Sequence, residues 1–316
     1  MVYYSGDKAE IEQQTMQNFQ KSSLAHILAV SGTHVSYIIL GLTVLITHVK
    51  ISKRSGYIFI ILLLIFFLFL TNFSVSVIRA CIMAIIFILS KLLYKKADTI
   101  NTLIIALLIT IVNNPFSIYS VSLQLSYLGT IGVIFLSPII KQVFLNIKMK
   151  EKFTKIISVP IAAQIAILPI MIINFNTVSF TFLISNIIAI PLLGCVIIGG
   201  YILTFISFIW FGFAKKLSIV LNIFLKLLIF ISKVCANLKI SNIYVVKPSI
   251  ITIIIYYFSL VVIIYAYNLK NSSSLKYYKI KKVVVILIVI IIVLEFPYTN
   301  YNGKLKIYFI DVGQRR

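Results

Sequence analysis

Acidic residues are scarce in this chain. Only 7 of its 316 residues are Asp or Glu, whereas 29 are Lys or Arg. None of the seven carboxylates lies in the middle of an apolar segment. Proton and sodium relays inside membranes usually depend on buried carboxylates, so the sequence gives poor support to an ion-coupled transporter.

Histidine and cysteine are also rare, with three of each. The histidines show no HxH or HExxH spacing, and Cys81, Cys195 and Cys235 lie in or beside apolar tracts without metal-ligand spacing. The chain contains no Walker motif and no other Gly-rich phosphate loop. We therefore predict no catalytic residues, no metal ligands, no cofactor and no disulfide.

Apolar residues make up 61% of the chain and charged residues 11%, and the mean hydropathy is +1.08. A soluble domain is about 45–50% apolar and about 25% charged. A spanning helix needs roughly 20 mostly apolar residues, so the sequence predicts an all-α polytopic transmembrane helical bundle with short, broken or re-entrant helices. The predicted segments are 24–46, 57–72, 76–94, 99–113, 118–140, 156–173, 179–211, 217–236, 249–267 and 283–296.

The connections between these segments alternate between basic and uncharged. Lysine collects in cytoplasmic loops of membrane proteins, so the basic side is expected to be cytoplasmic and both termini to lie outside. Most of the net charge of +22 then reflects topology rather than a surface for nucleic acid. The basic connections are 47–56, 95–98, 141–155, 212–216 and 268–282, and the uncharged tips are 73–75, 114–117 and 174–178.

Residues 179–211 form an apolar tract that is too long for one span and too short for two. One broken crossing preserves the alternation of loop charge. Proline removes a backbone donor and glycine is conformationally permissive, so breaks are expected inside apolar helices. The helix-breaking candidates are Pro169, Pro191, Gly199 and Gly200.

Segment 217–236 carries a line of polar residues. Lys215, Asn222, Lys226 and Lys233 fall within about 40° on a helical wheel. This pattern indicates either an amphipathic helix on the membrane surface or a span whose cationic stripe faces a wet interior. The alternation of loop charge favours the span.

Polar residues also cluster at the uncharged tips, where Asn72, Asn113 and Asn174 end short apolar segments. Non-helical backbone at membrane depth persists only against protein or water. The tips therefore fit either a polar cup open to the outside or ordinary short hairpin turns.

Arg79 lies about one turn inside an apolar segment. A charged side chain at the centre of a bilayer costs about 2.5–3.5 kcal/mol on insertion scales. Its guanidinium either snorkels to the interface or faces the cup, where it contacts phosphates or holds helices through their carbonyls.

Eight short elements, in order along the chain, resemble the ComEC family of competence proteins. The first is His26-Ile-Leu-Ala-Val-Ser-Gly-Thr-His34-Val, and the last, Ile310-Asp-Val-Gly-Gln314, resembles the opening strand of the family's metallo-β-lactamase-like domain. The six between them are Ser76-Val-Ile-Arg-Ala80, Ala97-Asp-Thr-Ile-Asn-Thr-Leu103, Asn114-Pro115, Gln124-Leu-Ser-Tyr127, Ala162-Ala-Gln164 with Pro169, and Ser185-Asn186 to Pro191-Leu192.

This resemblance implies a channel for single-stranded DNA in the bacterial cytoplasmic membrane during natural transformation. It also implies a DNA receptor and a cytoplasmic ATP-driven translocase as partners, beside membrane lipid, and homo-oligomerisation is a further expectation. An interior without carboxylates suits a polyanion. The candidate channel or DNA-contacting residues are His26, Ser31, Gly32, His34, Arg79, Gln124, Ser126, Gln164, Asn186 and Lys226. For His26 and His34, hydrogen bonding between helices is the other interpretation, and Ser31-Gly32 is expected to break the first helix.

Two departures from the family pattern shape the expected domains. The family has an outer OB-like region before this core and metal-binding motifs after the DVGQ element, and the chain shows neither. We expect an outer segment over 1–23, a channel domain over 24–296 and, over 297–316, the start of a truncated metallo-β-lactamase-like domain. The competing hypotheses are a small-solute permease and a non-functional fragment of a split gene.

Overall fold

The computed structural model describes residues 13–28, 30–48, 52–95, 97–238, 241 and 243–269. Residues 1–12, the predicted segment 283–296 and the tail 297–316 lie outside the described residues. The described helices, in chain order, are α1 (Gln13–Lys21), α2 (Ala25–Leu28), α3 (Gly32–His48), α4 (Lys53–Leu70), α5 (Val75–Leu92), α6 (Thr99–Asn113), a 3-10 helix (Pro115–Tyr119), α7 (Val121–Asn146), α8 (Glu151–Phe175), α9 (Phe182–Ile209), α10 (Phe211–Asn237) and α11 (Ile250–Leu269).

Small polar side chains define where several helices begin. Ser52 accepts a hydrogen bond from the amide of Ser55 at the start of α4, and Asp98 accepts one from the amide of Ile100 at the start of α6. Ser120 does the same at the start of α7. The first amides of a helix lack intrahelical acceptors, so these side chains fix helix starts at the ends of the apolar segments.

The helices confirm the predicted class of fold, a polytopic bundle of apolar helices. Seven described helices are long and apolar enough to cross a membrane: α4, α5, α7, α8, α9, α10 and α11. Two shorter apolar helices, α3 and α6, accompany them. The chain is therefore a multi-pass membrane protein.

The expectation that four residues break helices is wrong. Helix α8 runs through Pro169, and α9 runs without interruption through Pro191, Gly199 and Gly200. In an apolar environment no water competes for the backbone, so the remaining hydrogen bonds keep the helix intact around one missing donor. Gly199 serves packing instead, since a Cβ there would lie 2.7 Å from the Leu221 side chain on α10.

Small residues also bring α7 and α8 together. A Cβ on Gly132 would lie 2.6 Å from the carbonyl oxygen of Ala162, and Ala162 and Ala166 are buried. Association of helices in lipid depends on close packing rather than on the hydrophobic effect. These residues therefore set how closely the two helices approach.

The turn between α7 and α8 carries an ion-paired glutamate. Lys141 Nζ donates to Glu151 Oε1 at 2.9 Å, and Lys155 Nζ lies 3.6 Å from the same oxygen. The hydrogen bond from Lys141, followed by the charges of both lysines, holds the pKa of Glu151 below its ordinary value.

Helices α9 and α10 are joined by Trp210 and pack against each other as a hairpin. Strand β1 (Thr177–Val178) precedes α9, strand β2 (Ile243–Tyr244) follows α10, and the two pair antiparallel with Thr177 opposite Tyr244. The amide of Val245 donates to the carbonyl of Asn176 at 3.0 Å. The strand pair closes the hairpin at the end opposite Trp210, and we call it the clasp.

Two further contacts attach other helices to this hairpin. Tyr37 of α3 donates its hydroxyl to the carbonyl of Ile190 at 2.8 Å, and its ring lies where a Cβ on Gly194 would be. Phe19 of α1 is buried in one cluster with Leu228 of α10. From residue 246 onward the chain forms a second compact unit, whose described helix is α11.

Candidate functional site

The break predicted at Ser31-Gly32 is confirmed, because α2 ends at Leu28 and α3 begins at Gly32. Ser31 precedes the first residue of α3. Its amide donates to Nδ1 of His34 at 3.2 Å, and its hydroxyl lies 2.7 Å from the Thr33 hydroxyl. A side chain three residues into a helix that accepts from the amide of the capping residue supplies one of the two bonds of a capping box. His34, which is 5% exposed, takes the place that Glu or Gln usually has there.

Arg79 of α5 lies beside this helix start and reaches α7. Its Nη1 donates to the carbonyl of Ser126 at 3.1 Å and to the hydroxyl of Thr130. Its Cζ lies 5.7 Å from the centroid of the Tyr127 ring, within the range of a cation–π contact. This is the arrangement expected if Arg79 holds helices together through carbonyls, since the guanidinium points to α7 rather than to an interface.

Gly32 faces the same guanidinium. A Cβ at Gly32 would lie 3.2 Å from Nη2 of Arg79 and 3.4 Å from Cβ of Ala80. Three of the eight elements that carry the family resemblance, the ones that reach α3, α5 and α7, therefore meet at one place. We call the group of Gly32, Arg79, Ser126, Tyr127 and Thr130 the arginine cluster.

The arginine cluster has no acidic member. Among the described residues the carboxylates are Asp98 and Glu151, which lie at the starts of α6 and α8, and the salt bridges found there involve only Glu151. The Nε atom of Arg79 is buried and has no hydrogen-bond partner within the described part of the chain. Dipoles and an aromatic ring thus surround the positive charge, and no anion of the described chain neutralises it.

The sequence analysis did not place Thr130, Tyr127 or Ser122 among the candidate contact residues. Ser122 lies 3.0 Å from Ser76 of α5, hydroxyl to hydroxyl, and adds a second polar link between α5 and α7. A signal was present, because Ser122, Ser126 and Thr130 recur every four residues and so share one face of a helix. Hydroxyl side chains at that interval mark the face of α7 that meets α5.

The other candidates form hydrogen bonds outside the arginine cluster or lie on other helices. Gln124 donates to the carbonyl of Ile118 at 3.1 Å and so bridges to the 3-10 helix before α7. Nδ1 of His26 lies 3.1 Å from the carbonyl of Ser23. Gln164 and Asn186 are half-buried on α8 and α9.

Ser185 is a second residue whose role the sequence did not reveal. It is fully buried on α9 and donates to the carbonyl of Ser22 at 2.7 Å. The serine beside Asn186 thereby holds the turn that precedes the His26 element. The contact joins residues 163 positions apart, which no local pattern could show.

The line of polar residues on α10 is exposed along its whole length. Lys215, Asn222, Lys226 and Lys233 are all exposed, and we call them the lysine stripe. The helix that carries them is continuous over 27 residues and is long and apolar enough to cross a membrane. The described residues contain no group of three or more metal-ligating side chains.

Comparison with known proteins gives the chain its family. A model of the competence protein family matches residues 4–270. The chain is also 25% identical over 186 residues to ComE operon protein 3 of Bacillus subtilis (strain 168), an alignment that covers 59% of this chain and 23% of that protein. No solved structure matches the chain. The match over residues 4–270 shows that the chain belongs to the competence protein family. It confirms the resemblance drawn from the sequence and covers seven of the eight elements, since 310–314 lies beyond the matched residues.

Proposed function

We propose that the chain forms the membrane channel through which single-stranded DNA crosses the bacterial cytoplasmic membrane during natural transformation. The observation that carries the proposal is that the charged side chains of the described helices are positive beyond the helix starts. Asp98 and Glu151 lie at helix starts, whereas Arg79 lies about one turn inside α5 and Lys226 lies near the middle of α10. A polyanion is attracted by such an interior and repelled by buried carboxylates.

The arginine cluster supports the same proposal. A buried guanidinium is costly unless it is paired, and this one has dipoles around it and no carboxylate in the described chain. A transient anion such as a passing phosphate is the kind of partner that a guanidinium prefers. The contacts of a channel must also release their cargo. Because Arg79 already donates to α7, only its remaining N–H groups are available to a phosphate, and such a contact is easier to break.

Several features of the complete system belong to this proposal. The chain aligns with 23% of the length of its Bacillus relative. From the family resemblance we propose a DNA receptor and an ATP-driven translocase as partners, and a homo-oligomer as the assembly. The basic connections are proposed to be cytoplasmic and both termini external. Residues 24–296 are proposed as the channel domain, after an outer segment over 1–23 and before a segment, 297–316, that resembles the start of a metallo-β-lactamase-like domain.

The test is the passage of DNA across a defined membrane. The purified chain is reconstituted into phosphatidylcholine vesicles that enclose a dye responsive to single-stranded DNA, and an oligodeoxythymidine is added outside. We expect a dye signal that requires the chain, that is absent with a duplex of the same length and that falls in the Arg79→Met variant. Passage of a labelled small solute without passage of DNA would replace the proposal by a permease. Passage of neither, from a protein with a helical circular dichroism spectrum, would favour a non-functional fragment.

A further inference from the structure

The lysine stripe runs along most of the helix that carries it. From Lys215 to Lys233 the helix rises about 27 Å at 1.5 Å per residue, close to the roughly 30 Å thickness of a hydrocarbon core. The stripe residues differ by at most about 40° around the axis. The polar groups therefore form a narrow line parallel to the axis of α10.

The stripe lies between two other faces of α10. At 100° per residue it is about 100° from Ser232, which is fully buried, and about 80° from Ile223, which is 60% exposed. Ser232 marks the packed face and Ile223 marks an exposed apolar face that suits lipid. The stripe thus occupies a margin of the helix rather than the middle of its apolar surface.

The position of Lys226 along the helix limits what the stripe can face. It lies about 16 Å from Asn237, the nearer end of the helix, well beyond the reach of its four-carbon side chain. Lys215 and Lys233 lie within about 6 Å of the helix ends and could reach an interface. If α10 crosses the membrane, Lys226 and its neighbour Asn222 need water or an anion at mid-depth.

The chemistry of the stripe selects among possible occupants. Lipid phosphates lie only in the headgroup region and cannot neutralise a lysine at mid-depth. A second copy of the chain docked through the same face would oppose lysine to lysine, which is repulsive. A nucleic-acid strand carries a phosphate at every nucleotide, so it presents negative charge at each depth of the line.

We propose that the lysine stripe of α10 is a track for the phosphate backbone of single-stranded DNA, with Lys226 as its mid-membrane contact and Asn222 as a neutral donor beside it. This inference rests on the proposed channel function and adds the surface that the strand follows. The contacts are to phosphate, so they do not depend on base sequence. The track lies on α10, whereas the arginine cluster joins α3, α5 and α7.

Cysteine labelling tests whether the stripe is wet and whether DNA covers it. In a Cys195→Ala background, where the remaining Cys81 and Cys235 are buried, Asn222→Cys is compared with Leu227→Cys. Leu227 lies about 100° further round the helix from Lys226 and is 42% exposed. With the full chain in phosphatidylcholine nanodiscs, a charged maleimide should label Asn222→Cys at least tenfold faster than Leu227→Cys. An oligodeoxythymidine should slow that labelling at low salt, and high salt should restore it.

Salt dependence of binding tests the three stripe lysines directly. Single-strand binding weakens with a log–log slope of about −0.7 per neutralised phosphate. Changing Lys215, Lys226 and Lys233 to Gln should therefore make the slope shallower by about 2. A tenfold rise in salt would then weaken DNA binding by a factor about 100-fold smaller than in the unchanged chain. A matched variant with three exposed connection lysines changed to Gln should keep the wild-type slope; these are Lys95, Lys148 and Lys152.

Each outcome either supports or overturns the track. Failure of Asn222→Cys to label means that the stripe faces lipid, and labelling that oligodeoxythymidine leaves unchanged means that DNA does not cover it. Protection by nanodiscs containing phosphatidylglycerol, without DNA, would assign the stripe to anionic lipid. If DNA passes in the vesicle assay but oligodeoxythymidine does not slow the labelling of Asn222→Cys, the track is overturned and the channel function stands. Protection without passage leaves the track in place and refutes the channel.

Discussion

Replacing Arg79 by Met removes one charge and both hydrogen bonds to α7, while it keeps an unbranched apolar side chain. A hydrogen bond to a charged group contributes about 1.5–3 kcal/mol net, so the two bonds together contribute about 3–6 kcal/mol. Against them stands the desolvation of a cation without a carboxylate partner, which costs several kcal/mol. The two terms have the same size and opposite sign.

The partners of Arg79 also keep other hydrogen bonds. The Thr130 hydroxyl donates to the Ser126 carbonyl at 2.8 Å in any case, so Arg79→Met leaves neither atom without a partner. The penalty for an orphaned buried acceptor is therefore avoided. We expect the free energy of unfolding to change by less than about 2 kcal/mol, measured by circular dichroism in mixtures of dodecyl maltoside and SDS.

The effect of the same substitution on DNA transport should be large. In a complete relative that carries the Ser-Val-x-Arg-Ala element, replacing the arginine that corresponds to Arg79 by Met should reduce transformation to the level of a strain without the gene. Lysine at that position should restore it only in part, because an ammonium lacks the planar fork. Wild-type transformation at equal protein level would falsify the phosphate role. A loss of more than about 3 kcal/mol in stability would instead show that the bonds to α7 outweigh desolvation.

Three further predictions concern packing, pH and orientation. Gly132→Val should destabilise the chain by about 1–3 kcal/mol in the same SDS titration, since its Cβ meets a backbone carbonyl of α8. Gly129→Ala, whose Cβ would find its nearest neighbour at 3.6 Å, is the tolerated control. The lowered pKa of Glu151 means that its ion pairs stabilise the fold fully above the ordinary pKa of 4.5 and lose this effect as pH falls through the lower folded value. Glu151→Gln should remove that acid-range change in thermal stability, and an unchanged acid profile would contradict the assignment. Cysteines introduced at Ser52 and Lys148 should resist an impermeant thiol reagent in intact cells, and labelling of both from outside would reverse the proposed orientation.

The positions of the helices followed from sequence because length and charge carry that information. Uninterrupted apolar runs predicted α4 to α11 to within a few residues, with two exceptions. Helices α7 and α8 extend into the basic connection between them, and α10 begins at Phe211, so the predicted connection 212–216 is wrong because it lies inside that helix. The break before α3 followed from Ser31-Gly32, where a capping residue and a glycine stand together. Both signals are local, and local signals can be read along a single chain.

The contacts between helices could not be predicted in the same way. In a soluble protein an apolar stripe marks the packed face, but in lipid the packed and the exposed faces are both apolar. Helix α9 illustrates this, since Ile184 is 52% exposed and Leu193 is fully buried although both are aliphatic. The pairing of Arg79 with Thr130 depends on how α5 meets α7, which composition does not determine.

The prolines show the opposite case, in which a local sequence rule gave a wrong prediction. Pro169 and Pro191 were expected to break helices because proline lacks an amide hydrogen. In an apolar environment a helix that unravels loses several hydrogen bonds and finds no water to replace them, so one missing bond is the smaller cost.

The clasp has a mechanical consequence for the hairpin of α9 and α10. A hairpin joined only at Trp210 could splay at its free ends, but β1 and β2 pair those ends together, and the amide of Val245 adds a bond to Asn176. Splaying would have to separate the paired strands. Sliding of α10 along α9 would shift Thr177 out of register with Tyr244. The hairpin is therefore a closed loop of chain that tilts or rotates as one body, and a force applied to α10 is shared with α9.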